Sequence, residues 1–249
     1  MRILTQIIVL ALVVLAFSCT RTHYIGNAVQ YYSIAGLRQS DQAISNTVAP
    51  YKRQVDVEMN NIIGKSEVML SKEQPESSLG NWSADAVHTQ CELYSKSTVD
   101  FAVLNYGGLR ISSIAAGDIT KGKIFELMPF DNMLVIIELK GAELKALFEH
   151  VAANGGWPFS KTIQMKLNAK GEVLDVKIMG QAIDANKTYK IATIDYLANG
   201  GDNCAFFAGK TRIETGRFLR DAVIEYVENL TAQGLLVNAK KEGRIVREK

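Results

Sequence analysis

Two glycine turns carry residue types from which a ligand site can be built. Asn105-Tyr106-Gly107-Gly108-Leu109-Arg110 ends one turn in an arginine. Asp195-Tyr196-Leu197-Ala198-Asn199-Gly200-Gly201-Asp202 ends the other in an aspartate. Arg110 presents a planar fork of donors that grips a phosphate through two parallel hydrogen bonds. Asn105 offers a donor and an acceptor on one side chain, and an ionised Asp202 accepts from two vicinal hydroxyls such as those of a ribose. Phe130 follows Met128-Pro129, and Tyr196 precedes the second glycine pair, so both aromatics sit beside turns. Two rings facing each other hold a planar base, at about 1–3 kcal/mol per stack. Gly107, Gly108, Gly200 and Gly201 let backbone approach a ligand closely. Taken singly, each feature has a plain structural alternative: an aromatic residue is usually core, and Asn-Gly-Gly-Asp is usually a turn.

The chain offers no self-contained catalytic centre. His23 and His150 lack ligand-like neighbours at i+2 to i+5, and no cysteine pair lies near His23, His88 or His150. The Gly-x-Ser-x-Gly nucleophile pattern is absent. No catalytic residue and no metal site are therefore assigned to this chain.

The elements that must position these residues follow from hydrophobic periodicity. Pro50 with Val55, Met59 and Ile62 predicts a helix over 50–63. Leu79, Trp82, Ala86 and Leu93 predict another after Ser78. Short apolar runs predict strands over 98–104, 133–139 and 188–194, and a hairpin joining 163–167 to 173–179. Leu144, Leu147, Phe148 and Val151 predict a helix over 142–153, stopped by Asn154-Gly155-Gly156. A long amphipathic helix is predicted over 215–232, with Phe218, Leu219, Val223, Tyr226, Val227 and Leu230 inward, and 243–246 as a closing strand. Helices and strands mix without strict alternation, which indicates an α+β fold.

The 249 residues suit one good-sized domain or two small ones. A hydrophobic share of 47% and a charged share of 22% are those of an ordinary globular protein. A net charge of +2 makes no electrostatic case for nucleic acid or an acidic membrane surface. At the N-terminus, Arg2 precedes an apolar run over 3–17 that ends in Leu15-Ala16-Phe17-Ser18-Cys19. That run fits a signal h-region and is short for a membrane span. A small residue before a cysteine at its end resembles a bacterial lipoprotein cleavage site, although bulky Phe17 stands where a smaller residue is usual. The expected organisation is a signal peptide over 1–18, a lipidated Cys19, a tether over 19–45 and a domain over 46–249. Cleavage without lipid is the alternative. The protein is expected to be exported and lipid-anchored, on a periplasmic or cell-surface face. Cys91 and Cys204 are expected as buried free thiols, although export permits a disulfide.

Four segments occur in one order: Glu-Ser-Ser-Leu-Gly-Asn-Trp-Ser-Ala-Asp-Ala over 76–86, the Asn105 turn, Glu-Leu-Met-Pro-Phe-Asp-Asn over 126–132, and the Asp195 turn. Together they resemble the C-terminal domain of the 5′-nucleotidase and UDP-sugar hydrolase family, from about Pro50 to the end. The resemblance implies a four-layer α/β/β/α domain with mixed sheets that supplies a substrate pocket. It implies that Phe130 and Tyr196 clamp the base, that Arg110 and Asn105 read phosphate and nucleoside, and that Asp202 takes the ribose hydroxyls. Tyr196 stands for the more usual phenylalanine, and Lys72 is the one candidate for a further phosphate arginine, without its bidentate fork.

The Asp-x-His, Gly-Asp-x-x-Asp and Gly-Asn-His-Asp/Glu motifs of that family's metallophosphoesterase domain are absent, and too few residues precede Pro50 to hold one. The expected function is the substrate-binding half of a 5′-nucleotidase-type hydrolase of nucleotide catabolism. A separately encoded metallophosphoesterase partner would supply two divalent metals. The alternative is a non-catalytic nucleotide- or nucleoside-binding lipoprotein.

Overall fold

The computed structural model describes residues 41–248. The signal peptide 1–18, the lipidation of Cys19, His23 and most of the tether 19–45 lie outside the described residues. The chain divides into two units, Met1–Val48 and Ala49–Lys249. In chain order the described elements are α1 (Gln42–Met59), β1 (Ile62–Ser66), β2 (Leu70–Ser71), α2 (Ser78–Ser95) and β3 (Phe101–Ala102). Then come β4 (Ser113–Ile114), β5 (Gly117–Thr120), α3 (Lys121–Leu127), β6 (Met133–Lys140) and α4 (Leu144–Ala153). The hairpin strands β7 (Ile163–Leu167) and β8 (Val173–Ile178) follow, with β9 (Gln181–Ala182), β10 (Thr188–Ile194) and the short helix α5 (Asp195–Ala198). Last are β11 (Arg212–Phe218), α6 (Leu219–Ala232) and β12 (Ile245–Arg247).

These elements make an α+β fold with mixed sheets. One four-stranded sheet runs β11-β6-β10-β3, with β10 antiparallel to β6 and parallel to β3. The second runs β12-β7-β8-β9, with β12 parallel to β7. Two-stranded ladders join β1 to β5 and β2 to β4. β10 lies inside its sheet, and Ile191, Ala192, Thr193 and Ile194 are all buried. Phe101, Phe148 and Phe159 bring β3, α4 and the segment before β7 together, with ring centroids 5.6–6.0 Å apart, in the tilted and edge arrangements that aromatic quadrupoles favour. Cys91 and Cys204 are buried and free, and burial pushes both thiols up to about 12.

Several boundaries depart from expectation for identifiable reasons. The first helix starts early, where Asp41 Oδ1 accepts from the amides of Ala43 and Ile44, and it stops at Met59. Ile62 leaves the helical stripe because 62–66 pairs antiparallel with β5. In the second helix Leu93 is exposed while Leu79, Trp82 and Ala86 are buried. The strand expected over 98–104 shrinks to Phe101–Ala102, with Val103 continuing only as an isolated bridge to Phe159.

The helix expected over 215–232 starts at Leu219. Residues 212–218 instead form β11, whose Arg212, Ile213 and Glu214 face Ile137, Ile136 and Val135 of β6. Gly216, at φ 68°, breaks that ladder before Phe218 meets Met133. Phe218 is consequently exposed, while Leu219, Val223 and Val227 face inward as expected.

Candidate functional site

The first turn is a 3-10 segment, Tyr106–Gly108, that follows β3 after Val103, Leu104 and Asn105. Asn105 is only 6% exposed, so its side chain is fixed by burial. Its Nδ2 donates to Asp202 Oδ2 at 2.6 Å, while its Oδ1 is buried with no partner. Gly108 lies under that amide: a Cβ there would meet Asn105 Oδ1 at 2.6 Å. The expected use of Gly108, close approach to a ligand, is thus filled by the protein's own asparagine. Arg110 emerges where its amide donates to the Leu127 carbonyl at the end of α3. Its guanidinium is exposed, donates to the Gly107 carbonyl at 3.1 Å, and lies 5.6 Å from the Phe130 ring centroid.

Phe130 stands in the loop between α3 and β6, held from both sides. Leu219 donates its amide to the Asn132 carbonyl at 2.8 Å. Arg220 bonds the Pro129 carbonyl and Asp131 Oδ1, at 3.4 and 2.8 Å, and stacks on Phe125. Phe130 itself is 50% exposed and Tyr196 44%. Among the described residues neither ring packs against another aromatic ring.

Asp195 ties the Phe130 loop to the Tyr196 turn. Its Oδ1 accepts from the amides of both Met133 and Tyr196, at 3.0 and 2.8 Å. Gly200 takes φ 91° and Asp202 φ 49°, a left-handed conformation that aspartate tolerates better than most residues. Gly201 must lack a Cβ, which would fall 2.6 Å from the Tyr196 ring.

Asn105, Gly107, Gly108, Arg110, Phe130, Tyr196 and Asp202 line one cleft of about 310 Å³, together with Asn132. That volume lies at the small end of ligand sites. The chemistry on its walls is one cation, one carboxylate, two exposed rings and a buried amide with a free acceptor. Lys72 is not on the wall. It donates to the Leu109 carbonyl at 2.7 Å and sits 4.0 Å over the Tyr106 ring, beneath the first turn. Burial, with the nearby Arg110 charge, lowers its pKa.

Asn132, Asp195 and Arg220 received no role from the sequence. Asn132 and Asp195 lie inside the sequence motifs, two residues past Phe130 and one before Tyr196, and that adjacency is their signal. Arg220 had none, because it reaches its loop from a distant helix. Among the described residues no three His, Cys, Asp or Glu side chains gather in a cluster that could hold a metal. No described helix is long and apolar enough to cross a membrane.

The family description 5′-nucleotidase, C-terminal domain, matches residues 62–209. Protein UshA of Yersinia enterocolitica is 36% identical over 155 residues, covering 61% of this chain and 27% of that protein. The trifunctional nucleotide phosphoesterase protein YfkN of Bacillus subtilis is 29% identical over 214 residues, 78% of this chain and 14% of that one. The solved 5′-nucleotidase precursor of Thermus thermophilus superposes with a TM-score of 0.70 at 28% identity, over 82% of this chain and 42% of that one. The chain therefore spans less than half the length of these relatives, and it belongs to the 5′-nucleotidase C-terminal domain family.

Proposed function

From that membership, we propose that this chain is the substrate-binding half of a 5′-nucleotidase-type phosphoester hydrolase. One observation carries the reading: five residues chosen by chemistry from three separate segments line a single cleft. Phe130 and Tyr196 hold the base, Arg110 the phosphate, Asp202 the ribose hydroxyls. The unpaired Oδ1 of Asn105 accepts a donor from the nucleoside. A buried acceptor without a partner costs about 1–3 kcal/mol, which a ligand donor would recover.

The described residues do not fit a two-metal centre, so no hydrolytic step is assigned to them. The two divalent metals belong to a separately encoded metallophosphoesterase partner, where they would activate water and stabilise the leaving group. This chain's residues bind, orient and shield the nucleotide. Export and a lipid anchor at Cys19 complete the proposal, supported by the apolar leader ending in that cysteine.

The test is calorimetric titration of the chain with AMP, adenosine and UDP-glucose, beside Phe130→Ala. The expected result is AMP binding that Phe130→Ala weakens about tenfold or more, the worth of one base–aromatic stack. Absence of AMP binding at millimolar ligand, with and without a phosphoesterase subunit, would sink the reading.

A further inference from the structure

The second turn closes on itself. Tyr196 Oη donates to Asp202 Oδ1 at 2.7 Å and accepts the Asp202 amide at 3.2 Å. From the opposite side the buried Asn105 Nδ2 holds Asp202 Oδ2 at 2.6 Å. The carboxylate is thus gripped at both oxygens. A carboxylate has about four lone-pair positions, two on each oxygen. One on each is used, so one on each is left, which is the requirement for accepting two neighbouring hydroxyls at once. Without these bonds Asp202 would be a partly exposed side chain free to rotate, on a backbone already at φ 49°.

We propose that the Tyr196 hydroxyl is a positioning group that orients Asp202, and thereby gives the cleft its preference for ligands bearing a vicinal diol. The inference rests on the nucleotide reading of the cleft and adds to it a second role for Tyr196, separate from its ring. The glycine at 201 is part of the device, because only its missing Cβ lets the ring lie against the turn and return its hydroxyl to Asp202. Asp202 raises the pKa of Tyr196, chiefly through the hydrogen bond between them, so the hydroxyl stays a donor at neutral pH.

The experiment titrates the full chain with AMP and with 2′,3′-dideoxy-AMP, which lacks both hydroxyls. It compares the unaltered protein with Tyr196→Phe, which keeps the ring, and with Asp202→Asn. Thermal melting checks that each variant is folded. The unaltered protein is expected to favour AMP by about tenfold, since a hydrogen bond to a charged group is worth about that factor or more. Tyr196→Phe should lose most of that preference, weakening AMP about tenfold more than it weakens dideoxy-AMP, and Asp202→Asn should behave alike.

An unaltered ratio in Tyr196→Phe overturns the inference and leaves the nucleotide reading standing. Equal weakening of both ligands makes the hydroxyl merely structural and also overturns it. Tighter AMP binding would show that the hydroxyl competes with the ligand, the opposite of the proposal. If the unaltered protein binds neither ligand, the nucleotide reading itself fails and the inference with it.

Discussion

Gly108 shows how closely single atoms set the cleft. The buried Asn105 amide occupies the space a side chain at 108 would need. Gly108→Ala is therefore expected to push Asn105 off Asp202 and weaken AMP binding about tenfold, with thermal stability lowered by about 1–2 kcal/mol as in other overpacked sites. Gly107→Ala is the control, because its Cβ would meet Asn105 only at an ordinary 3.9 Å. Calorimetry on the two variants checks this, and equal affinities would contradict it. That Arg110, Phe130, Tyr196 and Asp202 could line a ligand cleft was legible from residue type and from their places beside turns. That Asn105 and Asp202 touch was not, since 97 positions separate them.

Among elements, two contacts tie α2 to its neighbours. Arg244 is buried and makes a two-pronged pair with Asp85, at 2.9 and 2.7 Å, besides bonding the Phe159 carbonyl and Glu242. It joins the segment before β12 to α2. Asp85→Ala leaves a buried guanidinium short of its main partner, and a loss of about 3 kcal/mol is expected in denaturant melts.

The second contact is His88 on α2, whose Nδ1 lies 3.1 Å from Ser160 Oγ. Ser160 in turn accepts the Ala102 amide of β3. Burial lowers the His88 pKa, against the opposing pull of Glu92 and Asp85, with Lys161 adding to the lowering. A folded pKa below the unfolded value of about 6.5 means that the unfolded state takes up the proton first. The stability contribution is therefore full above about pH 6.5 and is lost as pH falls through the depressed folded value. Stability should fall on acidification from pH 7 towards 5, by up to about 1.4 kcal/mol per pH unit, read as a lower melting temperature. His88→Gln should flatten that profile, and an unchanged slope would refute the assignment.

For the molecule as a whole, the binding residues and the metals are expected on different chains. The described residues assemble a cleft and no metal cluster, while this chain covers only 27% of the Yersinia relative and 42% of the Thermus one. Mixing this chain with a separately encoded metallophosphoesterase should raise AMP hydrolysis above that of the phosphoesterase alone. A chelator should abolish the gain and leave AMP binding to this chain intact. No gain at saturating concentrations of both proteins would favour the non-catalytic binding reading.

The sequence alone determined what the site contains and the longer elements around it. The glycine turns, the aromatic beside each lip and the helical stripes of α2, α4 and α6 are local patterns, set by neighbours within a few residues. The family followed from four such motifs in order. Tertiary structure decided the rest. Two-residue strands such as β2, β3 and β4 carry no periodic signal, and 212–218 became a strand only because β6 offered it an edge. Tyr196 and Asn105 meet at the same carboxylate because β3 and β10 are parallel neighbours, so the segments that follow them, the Asn105 turn and α5, leave the same end of the sheet. Hydrogen bonds between distant segments depend on which chain ends the packed core brings together, and no local spacing in the sequence encodes that.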